Sequence, residues 1–208
     1  MKIIHRDSDI VVVEKESGLL SVPGRGPEKI DSVVHRIRQL IPECISHPAA
    51  HRLDMDTSGL MVLGLTAEAH RHLSIQFQDR TVEKNYLALL DGILAEDEGT
   101  ITLPFRLDIG NRPYQIYDEV HGKIGTTEWK KVGIEDNQTR IAFHPITGRT
   151  HQLRVHSAHP KGLGIPIVGD NLYGNSTGSG QLKLHAADLA FTHPTKGEAL
   201  SFSTPPPF

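Results

Sequence analysis

Cysteine is nearly absent from this 208-residue chain: Cys44 is the only one, which excludes an intramolecular disulfide and any cysteine-rich zinc or iron–sulfur centre. Nothing around it marks an activated thiol, so Cys44 reads as a small apolar filler. Long hydrophobic runs are also missing. The longest aliphatic stretches, such as Ile10 to Val13 and Leu60 to Leu63, are far too short to span a bilayer. The start, Met1-Lys2-Ile3-Ile4-His5-Arg6-Asp7, turns polar before a signal-peptide core could form, and gives the expectation of a cytoplasmic protein without membrane contact. There is no phosphate-cradling glycine loop with its lysine and no dinucleotide fingerprint. There is no internal repeat and no stretch composed like an interdomain linker, so residues 1–208 are expected to form one domain.

A cationic excess is lacking too. The net charge is −3 with histidines neutral, a total that does not suggest a nucleic-acid partner. The distribution says more than the sum. Acid gathers at Asp91, Glu96, Asp97 and Glu98 and at Glu135-Asp136; base gathers at Arg36 and Arg38, at Arg71 and Arg80, and at Arg149, Arg154 and Lys161 with His151, His156 and His159 between them. Such a chain can turn one positive face to phosphates, or can simply carry solvated charges on every side.

What is present is a chain 38% hydrophobic and 23% charged, with apolar residues in short, regular groups. Ile3 to His5 and Ile10 to Glu14 read as a hairpin about Asp7-Ser8-Asp9, and Ser17 to Lys29 as a loop. Asp31 reads as the N-cap of a helix with Val33, Val34, Ile37, Leu40 and Ile41 at helical spacing, limited by Pro42. Leu60 to Leu65 reads as a buried strand, and Thr66 as the cap of a second helix with Ala69, Leu73 and Phe77 on one face. Further strands are expected at Tyr86 to Leu90, Thr100 to Leu103, Gln115 to Glu119, Thr127 to Lys131, Thr139 to His144 and Leu184 to Phe191. A third short helix falls within Thr150 to His159, and Asn171 to Gln181 reads as a mobile surface loop. Many short strands with few helices point to an α+β fold on a mainly antiparallel sheet.

The segment His51-Arg52-Leu53-Asp54-Met55-Asp56-Thr57-Ser58-Gly59 packs polar groups just before an apolar strand, a common setting for catalytic groups. A calcium loop is rejected: Asp54-x-Asp56-x-Ser58-Gly59 starts that pattern, but its twelfth position, where a bidentate Glu belongs, is Leu65. Three readings stay open on the residues alone. They are a carboxylate pair of glycosidase type using Asp54 and Asp56, a single catalytic aspartate, and a turn whose polar side chains only bond the backbone. A zinc site is not expected. His151, His156 and His159 are spaced five and three apart, and the helical zinc pattern needs i, i+4 histidines with Glu beside the first.

His51 to Gly59 resembles the signature of the RluA family of pseudouridine synthases, His-Arg-Leu-Asp-x-x-Thr-Ser-Gly, with a match at every fixed position. Thr147-Gly148-Arg149-Thr150-His151-Gln152-Leu153-Arg154-Val155-His156 is similar to the family's later motif. Lys84-Asn85-Tyr86 is similar to its Lys-x-Tyr segment, Leu184-His185-Ala186 to its Leu-His-Ala, and Gly18-Leu19-Leu20-Ser21-Val22-Pro23-Gly24 to its early loop. Five motifs in family order make a specific resemblance.

The resemblance implies a catalytic domain with a central, mainly antiparallel sheet, an RNA-binding cleft across it, and isomerisation of uridine to pseudouridine without a cofactor. It makes Asp54 the catalytic carboxylate, Arg154 its ion-pair partner, and Tyr86 the residue that stacks on the target base. Arg52 would fill the space left by the flipped uridine, Leu184 would wall the uracil pocket, and Arg149 and His151 would face RNA. Asp56 falls at a variable position and stays outside the chemistry. Many relatives carry an S4-type RNA-binding domain. Here the first motif begins near residue 17, so none is expected, and the substrate should be a short stem-loop of 23S rRNA or a tRNA anticodon arm bound by a monomer. A non-catalytic RNA-binding module or RNA chaperone is the alternative, and the intact Asp54, Tyr86 and Arg154 argue against it.

Overall fold

Val and Ile alternate faces so regularly in the first third of the chain that one strand feeds two cores. The computed structural model describes residues 1–175 and 180–208; part of the expected Asn171 to Gln181 loop, residues 176–179, lies outside them. The chain divides into two compact units: Met1–Lys84 with His185–Phe208, and Asn85–Leu184.

In the first unit, β1 (Lys2–Arg6) and β2 (Ile10–Lys15) form the expected hairpin, and β2 pairs antiparallel with β3 (Ser58–Gly64). Parallel to the start of β3 runs β9 (Leu184–Thr192), which carries β10 (Ala199–Ser203) on its other side. Helix α1 (Val33–Leu40) lies on one face, where Val33 and Ile37 meet Val11, Val13, Met61 and Leu63. Helix α2 (Ala67–Asp79) belongs to the other, where Ala69 and Leu73 meet Ile10, Val12, Leu60 and Val62. A strand covered on both faces cannot alternate with polar residues, which is why β2 and β3 are continuous apolar runs. Each such side chain taken out of water contributes about 1.5–3 kcal/mol.

Both helix starts have side-chain caps. Thr66 accepts from the Ala69 amide at 3.1 Å, as expected. The α1 cap is Ser32, accepting from the His35 amide at 3.1 Å, one residue later than the expected Asp31. Asp31 instead binds Arg36 through both carboxylate oxygens, at 2.8 and 2.7 Å.

The second unit is an antiparallel array in the order β4 (Glu83–Leu90), β8 (Gln138–Pro145), β7 (Lys123–Glu135), β5 (Glu98–Leu107) and β6 (Gln115–Tyr117). Burial alternates along β5 and β8, so one face is core, with Ile101, Leu103, Phe105, Ile141 and Phe143 side by side. Helix α3 (Gln152–Ala158) brings Leu153 and Val155 into that core. The α+β class with a mainly antiparallel sheet is what the sequence pattern predicts. Among the described residues, no helix is long and apolar enough to cross a membrane.

The same core holds an unpaired polar ring. His156 is fully buried, edge-on to Phe105 at 5.7 Å, and neither ring nitrogen has a hydrogen-bond partner among the described residues. Burial pushes its pKa down to about 4. An unfolded histidine takes its proton near 6.5, so the unfolded state gains protons first as pH falls. Stability is therefore whole above about pH 6.5 and drains toward pH 4. We expect His156→Leu to be about as stable as the parent at pH 7 and more stable by about 2 kcal/mol at pH 5. Urea midpoints at the two pH values check this; equal losses in both proteins would refute it.

Candidate active site

The polar segment ahead of β3 is held through its backbone. Leu53 is bonded twice to Ser21: its carbonyl accepts from the Ser21 hydroxyl at 2.7 Å, and its amide donates back to that oxygen at 3.0 Å. The Met55 carbonyl accepts from the Gly18 amide at 3.0 Å, and the Asp56 carbonyl from the Ser17 hydroxyl at 2.5 Å. The turn closes with the Thr57 amide donating to the Asp54 carbonyl at 3.2 Å. The early glycine loop is thus the clamp of the aspartate loop. Leu53 and Asp56 are buried, Asp54 is half-buried, and Arg52 beside it is exposed.

His51 opens the segment as a fixture. Its ring stacks on Phe77 at 4.3 Å, and Nε2 accepts from the Val62 amide at 3.1 Å. Burial, helped by the Lys84 charge, pushes its pKa down to about 3, so it stays neutral and able to accept. At the other end, the Ser58 hydroxyl bonds His185 Nδ1 at 2.9 Å, and His185 Nε2 bonds the Thr204 hydroxyl at 3.1 Å. Gly59 has φ +113°, and a Cβ there would lie 2.3 Å from the Ala186 carbonyl oxygen. Only glycine lets β3 run this close to β9. The fixed Ser, Gly, His and Ala of two separate motifs therefore meet here for reasons of packing.

In the second unit, Tyr86 is half-buried on β4, opposite Phe143 of β8. Leu184 is buried in the unit's core cluster. The turn before α3 is organised by Gln152: its side-chain oxygen accepts from the Thr147 hydroxyl at 2.6 Å and the Arg149 amide at 3.0 Å. Its nitrogen donates to the Thr126 carbonyl at 3.0 Å. Arg149 is exposed, with Nε 3.4 Å from the Ile124 carbonyl. His151 caps α3 in the left-handed region at φ 56°, and its Nδ1 bonds the Tyr173 hydroxyl at 2.8 Å.

Arg154 is only 2% exposed, and Asp170 is fully buried. Arg154 Nε donates to one Asp170 oxygen at 2.9 Å and Nη2 to the other at 2.6 Å; Nη2 also donates to Asn171 at 3.1 Å. Burial would raise the Asp170 pKa. The guanidinium and the Tyr173 and Leu172 amides outweigh it and hold the carboxyl below its usual value. The guanidinium also lies over the Tyr173 ring, 5.5 Å from its centre. Asp170, Asn171 and Tyr173 are the partners of Arg154 that sequence reasoning missed. The available signal was an aspartate between two turn glycines, Gly169 and Gly174, which suits a carboxylate that caps its own turn.

Two members of the basic groups are already bound to acid. Arg36 holds Asp31 and, at 2.6 Å, Glu16; Lys161 is 3.1 Å from Glu119 and lies over the Tyr117 ring. The histidines weighed for zinc do not converge. Among the described residues the one group spaced for a metal is Asp7, Asp9 and His193, and it serves the β1–β2 turn: Asp7 accepts the Asp9 and Ile10 amides at 2.8 and 2.9 Å and His193 Nε2 at 2.8 Å.

Comparison with known proteins places this arrangement. Residues 9–159 match the family described as RNA pseudouridylate synthase. The dual-specificity RNA pseudouridine synthase RluA of Yersinia pestis is 44% identical over 206 residues, covering 97% of both chains. The enzyme of that name from Escherichia coli K12 is 43% identical over 210 residues, covering 99% of this chain and 93% of its own. Among solved structures, human RNA pseudouridylate synthase domain containing 1 superposes with a TM-score of 0.79 at 30% identity, covering 100% of this chain and 84% of its own.

Proposed function

The chain belongs to the RNA pseudouridylate synthase family, an isomerase converting uridine to pseudouridine in RNA, and on that premise we propose that it modifies stem-loops of both 23S rRNA and tRNA. The observation that carries the substrate reading is the end-to-end likeness, at 44% identity, to a relative named for dual specificity. The reaction breaks the bond between the sugar and a ring nitrogen, turns the base, and joins the same sugar carbon to a ring carbon; that carbon loses its proton and the freed ring nitrogen takes one up. Atoms balance without a redox partner or group donor, so the reading assigns no cofactor.

On the motif match, Asp54 is the carboxylate that attacks the base or the sugar, or removes a sugar proton. Arg154 orients it. A guanidinium whose Nε and Nη2 are taken by Asp170 has few orientations left, which suits that task better than a mobile lysine. Tyr86 stacks on the target base and accepts the leaving ring proton, and Leu184 is an apolar wall. Arg52 enters the gap left by the flipped base, offsetting part of an unstacking cost of a few kcal/mol. Arg149 and His151 lie on the RNA side of the same motif. The protein works in the cytoplasm as a monomer, where both RNAs are met.

The test presents a tRNA anticodon stem-loop, a 23S rRNA hairpin and a paired duplex, in EDTA and at several salt concentrations. Both hairpins should be modified and the duplex should not, since a loop base is splayed more cheaply than a paired one. Affinity should fall with salt as phosphate contacts release counterions. Modification confined to intact ribosomal subunits would refute the stem-loop reading while leaving the enzyme class in place.

A further inference from the structure

Lys15 is the last residue of β2 and has no solvent exposure. A buried ammonium carries a desolvation cost of several kcal/mol unless its donors are matched. All three of its N–H groups have a match, and each is a backbone carbonyl: Glu16 at 3.0 Å, Leu19 at 2.7 Å and Met55 at 2.7 Å. Leu19 belongs to the early glycine loop and Met55 directly follows Asp54. One ammonium therefore binds β2, the clamp loop and the aspartate loop at a single point. The hydroxyl bonds from Ser17 and Ser21 hold the neighbours of that point, and Lys15 is its charged centre.

We propose that Lys15 is a positioning residue, fixing Asp54 for reaction through the Met55 carbonyl. The inference rests on Asp54 being the catalytic carboxylate. The Lys15 charge also faces the carboxylates of Asp56, Asp54 and Glu16, the last of which is paired with the Met1 ammonium and Arg36. Burial outweighs their attraction and pushes the Lys15 pKa down to about 8. Above that pH the neutral amine keeps two N–H donors for three carbonyls, and one anchor is lost. Burial penalises the charged form, so losing the proton relieves the fold. Activity should therefore decline through about pH 8 without a matching fall in thermal stability on Lys15's account.

Lys15→Met keeps the stem and removes charge and donors. With a stem-loop RNA, its single-turnover rate should drop about 30- to 100-fold, the scale of a misplacement near 1 Å, while Kd changes less than about threefold. The wild-type rate should fall with a midpoint near pH 8, and that limb should be missing from the variant. A folded Lys15→Met with the wild-type rate, or with the same alkaline limb, overturns the proposal. If the variant does not fold, the wild-type profile decides: a rate that is flat from pH 7 to 9.5 overturns it. Asp54→Asn assayed alongside separates the two assignments. An active Asp54→Asn overturns the role of Asp54 and this inference together; an inactive one beside an unaffected Lys15→Met overturns this inference alone.

Discussion

Asp54→Asn should lower the single-turnover rate at least about a thousandfold, the largest effect expected of any conservative substitution in the chain. The amide is nearly the same shape but is neither nucleophile nor base. The loop's backbone anchors do not depend on the Asp54 side chain, since its carbonyl takes the Thr57 amide and Met55 is held by Gly18 and Lys15. Circular dichroism and urea midpoint should stay close to wild type, and the Kd for a stem-loop should change little. Asp56→Asn is the internal control. Asp56 is buried and its carboxylate faces the Lys15 ammonium, so its substitution should reduce stability more than the rate per folded molecule. A near-normal rate for Asp54→Asn combined with a dead Asp56→Asn would transfer the chemistry to the wrong aspartate for this account, and would revive the paired-carboxylate reading.

Most of the fold was legible because local pattern and tertiary environment agree. β2 and β3 are apolar without interruption and are indeed covered on both faces; Thr66 and Pro42 bound their helices where the turn chemistry says they should. The misses have physical reasons. Asp31 and Ser32 are both good caps, and Arg36, one turn on, draws Asp31 away. β10 reads Ala199-Leu200-Ser201-Phe202-Ser203, with only Leu200 and Phe202 inward, too short a period-two signal to stand out before β9 provides a partner.

The candidate site was legible as a set of motifs and much less so as a set of contacts. Motif residues such as His51, Ser58, Gly59 and His185 are indistinguishable in sequence from catalytic groups, and the structure gives them stacking, capping and close-approach work. Lys15 attracted no notice because one lysine ending a strand is ordinary; only its burial and three carbonyl partners set it apart. Lys161 reads as an unpaired surface cation because its carboxylate partner, Glu119, lies 42 residues away. Asp170 was hidden for the same reason, 16 residues beyond the arginine it binds.

That hidden pair carries the second large prediction. Asp170→Asn should destabilise the protein by about 3–5 kcal/mol, because it leaves the Arg154 charge buried without its counter-ion. Total stabilities are about 5–15 kcal/mol, so much of the fold's margin goes with it. The loss reaches beyond the pair. The same carboxylate caps the Leu172 and Tyr173 amides, and the Tyr173 hydroxyl joins the Gln115 amide to His151 Nδ1. Asparagine has one carbonyl oxygen where the carboxylate offered two, so either the turn or the guanidinium goes short. Arg154→Lys should fall between wild type and Asp170→Asn in stability, since a lysine keeps the charge but cannot hold both oxygens in a planar fork. Because the folded Asp170 carboxyl is held below its usual value, its contribution is complete at neutral pH and is lost only as pH falls below about 4. Urea unfolding at pH 7 measures the difference directly. A midpoint shift equivalent to less than about 1 kcal/mol for Asp170→Asn would place the pair with weak surface bridges and remove the reason for regarding the Arg154 guanidinium as rigidly held.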